Sequence, residues 1–184
     1  MIETIQILIL SILLGFTMKT ADLLDEHGLK WFKGSAILFG IFWGIFGALL
    51  LIIGPNALAM FWLATFLTYI IKAQIDYINH GIAMIIILFA FLWNVQKIPI
   101  DWTVFLYFFL AIGITGLFNK YVIEEYKIKN WLGKLFKWRT LYNLIALLFS
   151  LYTSIWIVFF SRIFFWVSYE ITTHFGMKKI KKHK

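Results

Sequence analysis

The sequence predicts an all-α integral membrane protein, a polytopic helical bundle of about six transmembrane helices with one amphipathic helix lying in the interface. Three observations carry this. Hydrophobic residues fill 62% of the 184 positions and charged residues only 14%, against roughly a quarter charged in soluble domains. The mean hydropathy is +0.86. Six charge-poor stretches place the spans at about 5–18, 35–54, 57–78, 81–95, 102–118 and 141–161. They are continuously apolar rather than alternating, which excludes the strands of a membrane β-barrel. The whole reads as one helical domain over 1–177, followed by a basic tail, 178–184, expected to be disordered.

A crossing helix needs ~20 apolar residues, within about 17–25. Spans two and six meet this and span five is at the short limit. The uncharged cores of spans three and four are shorter, so each borrows polar neighbours or fails to cross. The first stretch resembles a signal sequence in position only. Glu3 replaces the usual lysines and no small-x-small cleavage site follows Gly15, so it is read as a membrane helix. In span two, Gly40, Gly44 and Gly47 form a small-residue face that suits close helix packing or self-association. Gly54-Pro55-Asn56 then forces a tight turn. Span three runs on through Lys72, Asp76 and His80, which would recur every four residues on one helical face. Pro99 breaks the chain after span four, and Asp101 is the expected N-cap of span five.

Residues 121–138 differ in character. Ile128, Trp131, Leu132, Leu135 and Phe136 recur at helical spacing among lysines, the pattern of an interfacial amphipathic helix. Beyond Phe160 the chain stays apolar but takes in Arg162, Glu170 and His174. Span six is therefore either long and tilted or bent near Ser161-Arg162, with Arg162 expected to snorkel to the headgroups. Trp31, Trp93, Trp102, Trp131 and Trp138 sit at the ends of apolar runs, as an interfacial belt requires.

With no cysteine, disulfides, thiolate metal sites and cysteine nucleophiles are excluded. The net charge of +8 comes mainly from 120–139 and 178–184, both beside spans. Such placement points to topology and anionic lipid headgroups as partner, not to nucleic acid. Six crossings put loops 19–34, 72–80 and 119–140 on one side, expected to be cytoplasmic in a cell membrane. The lysine tail, placed on the other side by an even count, opposes that orientation.

The polar residues follow spans one, three and five and so share one membrane face. Asp22, Asp25 and Glu26 lie at i, i+3 and i+4. Hard oxygen ligands at that spacing suit Mg²⁺, which commonly bridges to substrate phosphates. Asp76, Asn79 and His80 repeat the spacing. The candidate metal ligands are therefore Asp22, Asp25, Glu26 and Asp76, with Lys19 and Lys72 for a substrate phosphate and His80 as catalytic acid or base. Acidic clusters at helix ends resemble the aspartate motifs of UbiA-type intramembrane prenyltransferases, a likeness carried by Asp22, Asp25, Glu26 and Asp76. It implies Mg²⁺ held on a prenyl diphosphate. The chain departs from the pattern: Thr20-Ala21 precede Asp22 where that family has an asparagine, the second motif lacks a second aspartate, and that family has more helices. Membership is not assigned.

Three functions compete on the sequence. The leading one is a membrane-embedded, divalent-cation-assisted enzyme acting on a lipid or isoprenoid phosphate. The others are a small oligomeric transporter or channel, and a structural or assembly protein of the membrane.

Overall fold

The computed structural model describes residues 2–72, 77–119 and 138–182. The described residues form seven helices and no strand. They are α1 (Ile2–Asp25), α2 (Ser35–Ile53), α3 (Asn56–Ile71), α4 (Ile78–Asn94), α5 (Trp102–Phe118), α6 (Trp138–Thr153) and α7 (Trp156–Lys182). Two of them, α1 and α2, are long and apolar enough to cross a membrane; α3, α4, α5 and 140–153 are shorter apolar helices.

Side-chain neighbours fix the direction of every helix. Along α1 and α7, Ser11 meets Ser161, Gly15 meets Phe165 and Tyr169, and Leu23 meets Gly176, so these two run parallel. In α2 and α4, Gly40 faces Asn79, Gly44 faces Ala83 and Ile86, and Gly47 faces Ile87, again parallel. Phe61 packs on Phe108 and Thr68 on Gly113, so α3 and α5 are parallel too. Phe149 lies on Phe108 while Tyr142 reaches Gly116, which sets α6 antiparallel to α5. The seven helices thus alternate in direction. The C-terminal ends of α1, α3, α5 and α7 gather at one end of the bundle, here called the basic end. Glu3, the Gly54-Pro55 turn and Ile157 gather at the other.

The described helices differ from the expected spans in the last part of the chain. A single span over 141–161 is replaced by two helices broken at Ser154-Ile155. Ser154 adopts a left-handed φ of 62°, and Ser150 Oγ donates to the Ile155 carbonyl at 3.0 Å. The chain therefore turns back well before Ser161-Arg162. α7 re-enters the bundle along α1 and carries the tail, helical to Lys182, to the basic end. Two further boundaries move. α1 continues to Asp25, so Lys19 and Asp22 stand on a helix rather than in a loop. α3 stops at Ile71, so Lys72 follows its end while His80 belongs to α4, and the two share no helical face. Asp76 and the expected interfacial helix at 121–138 lie outside the described residues, apart from Trp138, which begins α6.

α3 is the central helix, with Leu58, Met60, Phe61, Trp62 and Ala64 all fully buried, as expected of a helix apolar on every side. Trp62 donates from Nε1 to Ser161 Oγ at 3.1 Å, and Ser161 pairs with Ser11 at 2.7 Å. One hydroxyl network thereby ties α1, α3 and α7. The glycine face of α2 is occupied within the chain by α4. Asp101 caps α5 as the sequence indicates, accepting from the backbone N–H groups of Thr103 and Val104 at 3.0 and 3.1 Å. The outer faces of α4, α5 and α6 carry large exposed apolar side chains, among them Trp93 (78% exposed), Ile114 and Leu148.

Candidate functional site at the basic end

The last turns of α1, the end of α3, the first turn of α4 and the middle of α7 enclose a group of buried polar side chains. Asp22 and His80 are both nearly inaccessible. His80 Nε2 lies 3.1 Å from Asp22 Oδ1 and 3.5 Å from Glu26 Oε1. One ligand atom from each of Asp22, Glu26 and His80 falls within 4.8 Å of the others. Asp22 and Glu26 are four apart on α1 and its continuation, so both reach the same side; α4 brings His80 across to them.

The second ring nitrogen of His80 and the second carboxylate oxygen of Asp22 are also engaged. Tyr169 donates its hydroxyl to Asp22 Oδ2 at 2.9 Å. Tyr69 OH lies 3.3 Å from His80 Nδ1. Lys19 Nζ approaches Asp22 Oδ2 at 3.7 Å, sits 5.1 Å from the centre of the Tyr169 ring, and reaches His27 Nε2 at 3.4 Å. Burial, and then the neighbouring Lys19 ammonium, hold His27 below the ordinary imidazole value of 6.5, with Asp22 partly opposing them. Around His80 three aromatic rings meet the imidazole edge-to-face: Trp43 at 5.4 Å, Tyr69 at 5.6 Å and Tyr77 at 5.8 Å. Such edge-to-face contacts fix the ring plane, so Nε2 is held toward the carboxylates.

Of the residues proposed from sequence, Lys19, Asp22, Glu26 and His80 come together. Asp25 is exposed and stands outside the trio. Lys72 turns the other way, into the bundle, where its Nζ donates to Tyr142 OH at 2.6 Å. There it lines an internal cavity with Thr68, Tyr69, Tyr142 and Arg162. Arg162 is 2% exposed, lies over the Phe165 ring at 5.0 Å and the Tyr142 ring at 5.7 Å, and does not snorkel. The cavity has room for one or two waters among these groups.

Sequence reasoning missed Tyr69, Tyr169 and Trp43. Each sits in an apolar run where an aromatic reads as core, and only the approach of α1, α4 and α7 gives their polar atoms or edges a purpose. Chemically, two carboxylate oxygens and one imidazole nitrogen form a ligand set for a divalent ion. The same atoms without an ion form a carboxylate–imidazole pair able to take and return a proton. Compared with known proteins, the chain matches no family model, no curated protein sequence and no solved structure.

Proposed function

We propose that this chain is a polytopic membrane enzyme acting on a lipid or isoprenoid phosphate, with Asp22, Glu26 and His80 holding a divalent cation at the basic end of the bundle. The observation that carries the reading is their convergence within 4.8 Å together with its outer layer of hydroxyls. Metal-bound histidines nearly always engage their second nitrogen, and metal-bound carboxylates are themselves hydrogen-bonded. Tyr69 and Tyr169 fill those two roles. Mg²⁺ is the ion expected from the carboxylates alone; the His80 nitrogen widens the choice to Mn²⁺ or Zn²⁺. Lys19 remains beside Asp22 as a candidate for the substrate phosphate.

Two features support a bilayer setting. The outward apolar faces of α4, α5 and α6 form a belt of the kind that lipid covers. Lys19, Lys30, Lys33, Lys72, Lys178 and Lys179 gather at one end, whereas Lys97 stands at the other. Residues 120–137 hold five further lysines in the sequence. With the tail returned to this end by α7, the charge asymmetry no longer conflicts with itself, and the basic end is assigned to the cytoplasm of a cell-membrane protein.

Purified protein stripped with chelator and restored with Mg²⁺, Mn²⁺ or Zn²⁺ tests the enzymatic reading on polyprenyl phosphate and phosphatidic acid. Metal-dependent turnover lost in both Asp22→Asn and His80→Ala is the expected result. Turnover unaffected by either change, or no Mn²⁺ binding by electron paramagnetic resonance, rejects it.

One observation favours a transporter instead: Arg162 is buried between apolar helices, and ionisable groups so placed commonly mark a path through a membrane protein. Solute flux in proteoliposomes that is lost in Arg162→Gln, with no lipid-phosphate turnover in the parent protein, would select that reading.

A further inference from the structure

We infer that the cleft between the 26–30 turn and the last turns of α7 is the docking subsite for a lipid phosphate headgroup, with one hydrocarbon chain of that lipid in the adjoining slot. The inference deepens the enzymatic reading by naming where its substrate lies. Two concavities meet here. The first, about 660 Å³, is lined by Glu26, His27, Gly28, Lys30 and Lys179. The second, about 280 Å³, is an apolar slot between Phe16, Leu23, Trp31 and Phe175. Leu29 and Lys179 line both, so the two adjoin.

The polar compartment has the charge a phosphate requires. Lys30 and Lys179 stand at its rim, and Lys19 reaches His27 on its wall. Lys179 Nζ is set 5.8 Å over the Trp31 ring, which holds an ammonium at the junction of the two compartments. Glu26, the carboxylate on the same wall, is engaged with His80. Gly28 turns the chain with a left-handed φ of 79° and has nothing within 4 Å of the place a Cβ would take, so the floor stays open.

The slot decides between a free anion and a lipid. A water-soluble phosphate has no use for an apolar channel, whereas a lipid does. Phe16, Phe175 and Ile171 are exposed along it, so a chain leaving the slot passes onto the outer apolar surface of the bundle. A headgroup in the cleft would rest beside Glu26, at the edge of the Asp22–Glu26–His80 trio.

The test uses the full chain in phosphatidylcholine nanodiscs, titrated with phosphatidic acid brominated on its acyl chains. The portion of tryptophan quenching absent from Trp31→Phe reports occupancy of the slot. Saturable quenching is expected, with a midpoint raised about tenfold or more in Lys30→Gln/Lys179→Gln, since each lysine near such a headgroup is worth about 1 kcal/mol. Lys97→Gln, at the other end, should match the parent protein. Equal midpoints in parent and double variant, or equal quenching by brominated phosphatidylcholine, would overturn the inference. Displacement by millimolar inorganic phosphate would assign the cleft to a free anion and overturn it as well. His80→Ala keeps lipid binding if the subsite is real, even where turnover is lost. Turnover that depends on His80 without lysine-dependent binding would leave the enzymatic reading standing and remove the subsite.

Discussion

His80, in the first turn of α4, holds its Nε2 3.1 Å from Asp22 Oδ1 on α1, 58 positions earlier in the chain. The pair is buried between α1 and α4. Its geometry is maintained from outside by Tyr169 on the aspartate and Tyr69 on the imidazole. Tyr69→Phe and Tyr169→Phe should each weaken Mn²⁺ affinity about 10–100-fold while leaving the thermal midpoint nearly unchanged. Metal affinity equal to the parent would reduce both tyrosines to packing groups.

The α2–α4 contact depends on the absence of side chains. A Cβ on Gly44 would stand 2.9 Å from Ile86 Cβ and 3.0 Å from Ala83 Cα, distances that force the helices apart. Gly44→Ala should cost about 1–3 kcal/mol, read by thermal unfolding in detergent. Gly113→Ala is the control: its nearest neighbour would be Thr68 Cγ2 at 3.8 Å, an ordinary contact, and stability should hold or rise.

The return of the chain at Ser154 can be weighed in the same way. A left-handed φ of 62° costs an L-residue about 1–2 kcal/mol, so Ser154→Gly should stabilise the protein and Ser154→Val destabilise it. If Val is tolerated as well as Gly, the turn is not left-handed and α6 and α7 are not separate helices.

His27 supplies a pH dependence with a definite sign. Its folded-state value lies below 6.5, so between those two values the unfolded chain binds more protons than the folded one and stability falls on acidification. The loss begins near pH 6.5 and is complete below the folded-state value. Replacing His27 with Gln should flatten this part of the stability profile measured from about pH 8 to about pH 5. The same slope in both proteins would place the titrating group elsewhere.

The arrangement of the helices is open to direct labelling because the chain has no cysteine of its own. Single cysteines at Lys30, Lys33 and Lys179 should react from one side of a sealed vesicle, and those at Glu3 and Lys97 from the other. Lys30 and Lys179 appearing on opposite sides would remove α7 from its place along α1, and with it both the Tyr169 contact and the lipid cleft.

Hydropathy and punctuation made much of the helical framework legible. The Gly54-Pro55 turn, the Asp101 cap and the glycine spacing of α2 are local features, set by φ restriction, one side-chain acceptor and the absence of Cβ atoms. The polar clustering of Lys19, Asp22, Glu26 and His80 at one end was also readable, because it follows from where the apolar runs stop. The break at Ser154 was not. No glycine or proline marks it, and its cause is a single left-handed serine inside an unbroken apolar stretch.

By itself, then, the sequence determined a helical chain with too little charge to cover a soluble surface, and an acidic and basic face at one end, because solvation and periodicity act residue by residue. Tertiary packing decided what those residues became. The return of α7 along α1 moved the lysine tail to the basic end and brought Tyr169 to Asp22. The early stop of α3 gave Lys72 to the interior and left His80 to α4. Such outcomes depend on how close two helices can approach, which is set by side chains distant in sequence and is invisible to any window read along the chain.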